Sequence, residues 1–374
     1  MKKPVLIAII AAGAAAVFAA VVFLVIPGVT SNEAERQLKV TFAEAGIPDD
    51  MWKAGKVTYV PIVGNLVIEK LEIGNRNSDV YITAGKAVLS LKTNNDEYMA
   101  GSVEVQDVSF LSDEVGITAK NISINDFSID KMLMEYSPAE AIGKLGSVRM
   151  SDAVFRLRGR RYVSLGSFSA DINYTEGKLP APSVTIKDLA MDVRQLMSIP
   201  DLRSEYRLSS FEMKNTFTAG VYASVLSMEM ASLFALKTDV SIFLPSQLAS
   251  GDIAAFARID FEDDIKLNSF SVTYTDRSLL DHVFELAGMG GNRDYFADEL
   301  YELIMMFAMM GGAELERFVN EATVFIAKPG TLELKTNIGR PLSFYELGQN
   351  PFAMNLSFTI NGGKPFTASG FDYW

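Results

Sequence analysis

Hydrophobic residues follow three patterns along this chain: one continuous stretch, a few stripes at helical spacing and many segments of alternation. The continuous stretch occupies residues 4–26 and follows Lys2 and Lys3. A helix of this length spans about 34 Å, enough to cross a hydrocarbon core of roughly 30 Å, and the lysines predict a cytoplasmic amino terminus. We therefore predict a single-pass transmembrane anchor with the rest of the chain exported. Its apolar residues include Pro4, Leu6, Ile9, Phe18, Phe23, Leu24 and Ile26.

The same stretch has a second interpretation as a cleaved signal peptide. Ala12-Gly13-Ala14 places small residues at the spacing that a signal peptidase uses. The apolar region of a signal peptide is usually about 7–15 residues long, whereas this stretch continues to Ile26, so its length favours a retained anchor. Both interpretations export the remainder of the chain, and no later segment of the sequence has the ~18 consecutive apolar residues of a second span.

The period of the apolar residues changes from about four to two near Val57. Before this point, Ala34, Leu38 and Phe42 recur at helical spacing, which predicts a juxtamembrane helix and linker within residues 31–56. After it, apolar and polar residues alternate, which is typical of strands with one solvated face.

Alternation is clear at residues 155–158, 184–187 and 270–274. Strands that recur every ten to fifteen residues, separated by Gly, Asn or Asp, predict a long antiparallel meander over 57–275. A short helix is predicted to interrupt the meander near 130–145. The strands of the meander would share one polar and one apolar face.

Three apolar stripes at helical spacing predict a helical block at 276–327. C-terminal strands are predicted over 328–374, with a hairpin turn at Asn361-Gly362-Gly363. The predicted fold is therefore mainly β with inserted helices. It has a single N-terminal transmembrane helix, a long antiparallel, curved amphipathic sheet that is groove-like or barrel-like, and a helical subdomain near its end.

Composition narrows the class of the exported part. A hydrophobic fraction of 49% is too high for a disordered chain. The absence of cysteine excludes disulfides, thiolate metal sites and cysteine nucleophiles. A formal net charge of −12 argues against a nucleic-acid partner, because the phosphates would be repelled.

Residues with catalytic chemistry are sparse. His282 is the only histidine in the chain, so it cannot supply a multi-histidine metal site or, by itself, a catalytic triad. The acidic segment 260–264 lacks the spaced ligands and the glycine of a calcium loop, which favours a solvated turn. We predict no catalytic residue, no metal site and no cofactor, and hence a protein that is not an enzyme.

A basic cluster, RLRGRR, occupies residues 156–161. On a strand, Arg156 and Arg158 would lie on one face, where they are candidates for contact with a headgroup or phosphate. The alternative is that these charges lie on an edge strand and block aggregation.

A methionine-rich segment at 303–310 is the second candidate for lipid contact. Flexible thioethers suit a surface or lid that accepts varied acyl chains, and the alternative is a buried helix with gap-filling methionines. The candidate residues are Leu303, Ile304, Met305, Met306, Phe307, Met309 and Met310.

The segment YVPIVGNLVIEKLEI at residues 59–73 follows the anchor and linker helix and opens the run of strands. This order of elements, with a Pro/Gly pair before the pattern L-x-I-x-x-L-x-I, resembles the AsmA-like family of envelope proteins. The resemblance implies a protein of Gram-negative bacteria anchored in the inner membrane, with its bulk in the periplasm. It also implies a curved sheet whose concave apolar face holds acyl chains, as in longer relatives that conduct phospholipid between the two membranes.

The function expected from this resemblance is non-covalent binding of acyl chains or phospholipid, in envelope lipid homeostasis or outer-membrane biogenesis. The expected partners are the inner membrane, phospholipid and other envelope proteins. The alternative is a non-enzymatic scaffold or assembly factor of an envelope protein complex, with the same fold and a filled core. An open groove lined by apolar side chains would favour lipid binding over the scaffold.

Overall fold

The computed structural model describes most of residues 31–367. The gaps within this range are residues 45–46, 61–63, 75–79, 94–97, 113, 131–141, 145, 174–180, 193–205, 250–257, 287, 289–296, 299–300, 303–316 and 318. The predicted anchor at 4–26 lies outside the described residues. Among the helices that are described, none is long and apolar enough to cross a membrane.

The described residues form mainly antiparallel sheet with few helices, as predicted, and the chain divides into two units, Met1–Ile172 and Asn173–Trp374. In chain order, the elements of the first unit are α1 (Ser31–Glu44), a 3-10 turn (Asp49–Met51), β1 (Trp52–Lys53), β2 (Lys56–Val60), β3 (Asn65–Ile73), β4 (Val80–Thr93), β5 (Tyr98–Ser112), β6 (Val115–Asp130), β7 (Ile142–Lys144), β8 (Ser147–Leu157) and β9 (Arg160–Asn173). Each strand from β2 to β6 pairs with the next along the chain. Strands β7 and β8 share one edge of β6, and β8 pairs with β9.

Helix α1 packs on the β2–β4 end of this sheet, which confirms the helix predicted after the anchor. Its apolar stripe of Ala34, Leu38 and Phe42 is buried against the first strands. The hydroxyl of Ser31 accepts a hydrogen bond from the backbone N–H of Tyr59 at 3.2 Å, so the start of α1 is fixed beside the end of β2.

The pattern L-x-I-x-x-L-x-I in β3 marks a change in which strand residues face the core. Leu66 and Ile68 are buried, the next two residues are both exposed, and Leu71 is buried again. Lys70 lies between these two runs with φ of 55°, in the left-handed region. A left-handed residue reverses the facing of the side chains that follow, so the two-residue polar step keeps the four apolar residues of this pattern on one face.

The other long strands of the first unit make the same change at positions that lie opposite one another. We call this set the crease row: Gly55, Lys70, Gly85, Asp107, Lys120, Asp152 and Gly166. Asp107 and Asp152 are left-handed, with φ of 52° and 49°. A Cβ atom on Gly85 would lie 3.1 Å from the Cβ of Asp107, so the glycine avoids a tight contact at this position.

The prediction of a helix near 130–145 is wrong at both ends of this range, where the described residues form strands. Asp130 ends β6, and Ile142–Lys144 form β7, which pairs with the last residues of β6. A strand of three residues is too short for its period of two to show in the sequence. The intervening residues 131–141 lie outside the described part of the chain.

The second unit continues the same architecture. In chain order, its elements are β10 (Ala181–Met191), β11 (Tyr206–Thr218), β12 (Val221–Met230), β13 (Phe234–Phe243), α2 (Ser246–Ala249), β14 (Lys266–Asp276), α3 (Leu279–Leu286), α4 (319–327), β15 (Thr331–Thr336), β16 (Leu342–Ser343), α5 (Phe344–Gln349), a 3-10 turn (Pro351–Met354), β17 (Leu356–Ile360) and β18 (Phe366–Thr367). Each strand from β10 to β14 pairs with the next, and both β15 and β16 pair with β14. Strand β17 pairs with β15 and β18, which confirms the predicted hairpin.

Helices α3 and α4 confirm two of the helices predicted within 276–327. Asp276, the last residue of β14, starts α3, because its carboxylate accepts a hydrogen bond from the backbone N–H of Leu280 at 3.1 Å. The same carboxylate accepts a hydrogen bond from the hydroxyl of Tyr274 at 2.6 Å. Burial and this hydrogen bond raise the pKa of Tyr274 above its ordinary value.

Helix α5 begins with a capping box. Ser343 and Glu346 exchange side-chain to backbone hydrogen bonds, and Arg340 donates to both carboxylate oxygens of Glu346, at 2.7 and 3.1 Å. The Arg340 guanidinium and then the backbone N–H of Ser343 lower the pKa of Glu346 to about 2. The charged carboxylate therefore stabilises the start of α5.

We expect Lys70→Val to lower the free energy of unfolding by about 1–2 kcal/mol, because a β-branched residue is disfavoured in the left-handed region. The control is Lys86→Val, one position after Gly85 of the crease row but in ordinary strand conformation, which should be close to neutral. Urea unfolding of both variants and the native chain measures the difference. Equal effects of the two substitutions would contradict the role assigned to Lys70.

We expect the stabilising effect of Glu346 to depend on pH with a defined sign. Its pKa of about 2 in the folded chain lies below the ordinary value of 4.5, so the effect is complete above pH 4.5 and is lost as the pH falls towards 2. The melting temperature of Glu346→Gln should therefore lie below that of the native chain at pH 6, and the difference should shrink in acid. A difference that does not change with pH would contradict the ion pair.

Candidate functional site

The candidate site is the apolar face of the sheet, where strand register aligns hydrophobic side chains in rows that cross the strands. In the first unit, one row contains Val57, Ile68, Ala87, Val105, Ile122, Met150 and Phe168. The row on the other side of the crease contains Trp52, Ile73, Ile82, Phe110, Ile117, Phe155 and Val163. At about 4.8 Å between strands, each row extends roughly 29 Å from the first strand to β9.

Small residues on the same face separate the two rows. Ala84, Ala119 and Ala153 lie there on three different strands, and all three are buried. Ala153 has 0% of its surface exposed although its own side chain is a single methyl group, because larger side chains flank it. The apolar face is therefore continuous across the crease.

Among the described helices, α1 covers the β2–β4 end of these rows. Leu66 and Ile68, beneath the helix, are buried, whereas Ile122, Met150 and Phe168 on β6, β8 and β9 are half-buried. The half-buried part of the first row, from Val105 on β5 to Phe168 on β9, measures roughly 14 Å across the strands. This is close to half of a hydrocarbon core of about 30 Å, which is the depth of one lipid leaflet.

The second unit has the same kind of face. One of its rows contains Ile186, Phe211, Met228, Leu236, Tyr274, Leu332 and Ile360. At the β14–β18 end, Phe325 of α4 packs with Ile360 and Phe366 in a buried cluster. At the β10–β13 end, Phe211 and Met228 are half-buried. Each unit therefore combines a helix-covered end with a more open apolar stretch.

The opposite face is polar. Two shallow cavities of about 720 and 460 Å³ lie on it in the first unit, lined largely by hydroxyl, amide and charged side chains. In the described part of the chain, no three His, Asp or Glu side chains are grouped so that they could hold a metal ion.

The two predicted headgroup arginines do not lie on one strand face. Arg156 is on the polar face of β8, where its Nη1 lies 3.4 Å from the hydroxyl of Thr118. Arg158 is outside the strand and forms a two-residue turn with Gly159, with φ of 50° and 77°. The shared-face prediction was wrong because β8 ends at Leu157 and the chain reverses immediately.

Arg160 was missed as a candidate. It lies opposite Leu157 in register, on the apolar side of the sheet at its rim, and both side chains are exposed. The signal was present in the sequence, since an Arg-Gly turn at 158–159 would place the next arginine at the start of a returning strand. The methionine-rich candidates at 303–310 lie outside the described residues.

His282 is buried on α3. Its Nε2 lies 2.7 Å from the hydroxyl of Tyr206, and its Nδ1 lies 3.8 Å from a carboxylate oxygen of Glu285. None of these groups is a serine, threonine or cysteine nucleophile, so this contact does not form a catalytic triad. It ties α3 to the start of β11.

The acidic segment 260–264 forms a turn, as predicted. Asp260 accepts a hydrogen bond from the backbone N–H of Glu262 at 3.0 Å. Asp264 accepts one from the backbone N–H of Asp260 at 3.1 Å. These carboxylates therefore stabilise the turn in which they lie.

Comparison with known proteins gives one match. A family model described as "Uncharacterized protein" matches residues 210–361, which extend from β11 to the turn after β17. No curated protein and no solved structure matches the chain. The matched segment lies within the second unit, and its description names no activity.

We expect isosteric Val→Thr substitutions to separate the open stretch from the covered core. Val148→Thr and Val163→Thr, on the half-buried face, should each cost about 0.5 kcal/mol or less, because the new hydroxyl can reach water. Val319→Thr, at a position of α4 that is 1% exposed, should cost about 1–3 kcal/mol. Chemical unfolding measures all three, and equal costs would show that the face is covered throughout.

Proposed function

We propose that this protein binds acyl chains of phospholipid non-covalently along the more open stretches of its apolar face. The observation that supports this most directly is the set of continuous hydrophobic rows, which the described helices cover at one end. Large contiguous apolar patches are rare on the surfaces of monomeric proteins. Those that occur often mark sites where a ligand, a membrane or another protein binds.

The chemistry of the rows suits a hydrocarbon chain. In the half-buried part of the first row, Ile122, Met150 and Phe168 offer no hydrogen bond that a polar ligand would need. Each Å² of apolar surface removed from water contributes about 25 cal/mol, so a linear chain lying along a row gains affinity in proportion to its length. Binding by burial alone tolerates chains of different structure.

The rim of the apolar face at the β8–β9 turn offers a place for the polar end of such a ligand. Arg160 lies at the rim of the apolar face, beside the exposed side chain of Leu157. A guanidinium at this position can pair with a phosphate while the attached chains remain on the apolar face. Arg156 is not suited to this role, because it lies on the opposite face.

We further propose that residues 4–26 anchor the protein in the inner membrane, with the sheet in the periplasm. The apolar stretch, the two lysines before it and the resemblance to AsmA-like proteins support this location. The contact between Ser31 and Tyr59 supports a short connection between the anchor and the sheet. In this arrangement the protein acts in envelope lipid homeostasis without catalysis.

A scaffold in an envelope complex is the second candidate function. Phe261, Phe344 and Tyr345 are 53%, 47% and 52% exposed. They lie near one another, because the backbone N–H of Tyr345 donates a hydrogen bond to the carbonyl of Glu262 at 2.9 Å. Exposed aromatic residues in a group are typical of protein interfaces.

The acyl-chain proposal can be tested with adjacent residues of β6 that face opposite ways. We expect Ile122→Asp to reduce labelling by a phospholipid with a photoactivatable acyl chain about fivefold or more, because a carboxylate in the row opposes burial of hydrocarbon. Ser123→Asp, which places the same charge on the polar face, should leave labelling unchanged. The measurement is mass spectrometry of full-length protein labelled in membranes, with the melting temperature of each variant as a control for folding.

The proposal also predicts where the label attaches. Labelled peptides should come from β5–β9 of the first unit and β10–β13 of the second. Labelling confined to residues 4–26, or equal labelling of the two variants, would overturn acyl-chain binding and favour the scaffold.

A further inference from the structure

Three exposed aromatic residues lie together in the second unit, on elements that acyl-chain binding does not use. Phe261 belongs to the turn 260–264, and Phe344 and Tyr345 form the start of α5. Each has about half of its surface exposed, and none belongs to the hydrophobic rows. We call these three residues the aromatic patch. Aromatic side chains are enriched at the centres of protein interfaces, so the patch is a candidate docking surface.

The two segments of the patch are fixed beside each other. Lys266 of β14, just after the turn, pairs with Ser343, just before α5. The backbone N–H of Tyr345 donates a hydrogen bond to the carbonyl of Glu262 at 2.9 Å. A pair of strands and a direct hydrogen bond therefore hold the three aromatic residues in one place.

Each segment is also rigid within itself. The capping box fixes the start of α5 through Glu346, whose charge is balanced by Arg340 at 2.7 Å. In the turn, the carboxylates of Asp260 and Asp264 accept backbone hydrogen bonds at 3.0 and 3.1 Å. Aromatic side chains have few rotatable bonds, so on a rigid backbone they lose little conformational freedom when they bind. Anchors of this kind carry much of the binding energy in protein interfaces.

The turn around Phe261 is acidic. Its other four residues are aspartate or glutamate, and all of them are exposed. We call these four residues the acidic rim. The basic residues nearest in sequence, Arg258 and Lys266, number only two, so the rim keeps an excess of negative charge. Such a rim attracts a basic partner and repels an acidic protein or anionic lipid.

Arginine is the residue that fits this combination best. Its planar guanidinium stacks on an aromatic ring and donates paired hydrogen bonds to a carboxylate. Lysine offers the charge without the plane or the paired donors. Aliphatic side chains beside the arginine would cover the exposed ring edges and exclude water from the charged contacts.

We propose that the aromatic patch and the acidic rim dock a basic segment of another protein, one that carries arginine beside aliphatic side chains. The aromatic rings would form the centre of this interface, and the carboxylates would form its edge. The inference rests on the second candidate function, the scaffold, and specifies the chemistry of the partner that the scaffold would recruit.

The first test titrates full-length protein in uncharged detergent micelles with short capped peptides, by calorimetry, with protein-free micelles as the blank. The probe alternates arginine with leucine, and two comparison peptides carry lysine or glutamate in place of arginine. We expect the arginine peptide to bind about threefold or more tightly than the lysine peptide, and the glutamate peptide not to bind. No binding of the arginine peptide, or equal binding of all three, overturns the proposal.

A pair of double variants locates the binding on the patch. Phe261→Ser/Tyr345→Ser should weaken binding of the arginine peptide about tenfold or more, because it removes two anchors. The control Val283→Ser/Val324→Ser changes two residues of α3 and α4 that are 49% and 56% exposed, outside the patch, and should bind like the native chain. An equal loss in the two variants contradicts the proposed location.

A charge variant keeps the test informative if the serine variant does not fold. Glu262→Gln/Asp263→Asn removes two charges of the acidic rim but leaves the carboxylates that accept the turn hydrogen bonds. It should weaken binding of the arginine peptide and reduce the dependence of binding on salt. Asp298→Asn/Glu302→Gln removes two exposed charges elsewhere in the second unit and should change neither property. Identical behaviour of the two charge variants overturns the role of the rim.

The partner is identified in cells of the native host. Full-length protein with benzoylphenylalanine in place of Phe344 is irradiated, and the cross-linked peptide is sequenced by mass spectrometry. The expected product is an arginine-containing segment of another protein, whereas a cross-link to lipid or to a second copy of this chain overturns the proposal. Cross-links only to protein segments without arginine overturn this inference but leave the scaffold in place. The absence of any protein cross-link overturns both.

Discussion

An antiparallel sheet can hide its apolar side chains only if every strand presents them on the same face at the same height. This constraint governs the first unit. Each long strand there changes once, from odd to even positions or the reverse, which of its residues face the apolar side. A strand that made this change alone would direct half of its hydrophobic residues to the solvent. The crease row satisfies the constraint for all strands together, because a left-handed residue such as Asp107 occurs in every second strand of the row.

Both units use helices to cover an apolar face at one end and leave the strands beyond it more open. In the first unit α1 buries the face through Leu38 and Phe42, and in the second unit α4 does so through Phe325. A complete second layer would be needed to bury the remaining rows. Proteins rarely leave such faces without a ligand or partner, since exposed hydrocarbon favours association. The open rows are therefore the surface on which the acyl-chain proposal is based.

Much of the architecture could be predicted from local sequence. Alternation identified the strands, and helical spacing identified α1 because its stripe is long enough to show a period. The short strand β7 gave no such signal, and a helix was predicted in its place. The position of Arg158 depended on a two-residue turn, and the pairing of Arg156 with Arg161 depended on a bulge. Register between strands is a property of the assembled sheet, so no single segment encodes it.

The crease row also affects how a protein of this kind can change in length. Because left-handed residues occur in every second strand of the crease row, the natural building block is a hairpin that contains one left-handed residue. Duplication of such a hairpin would lengthen the hydrophobic rows by about 10 Å and leave their cross-section unchanged. Loss of a single strand would place two residues of the same kind side by side. Evolution of this sheet is therefore expected to proceed in steps of two strands, each of which lengthens the apolar rows without widening them.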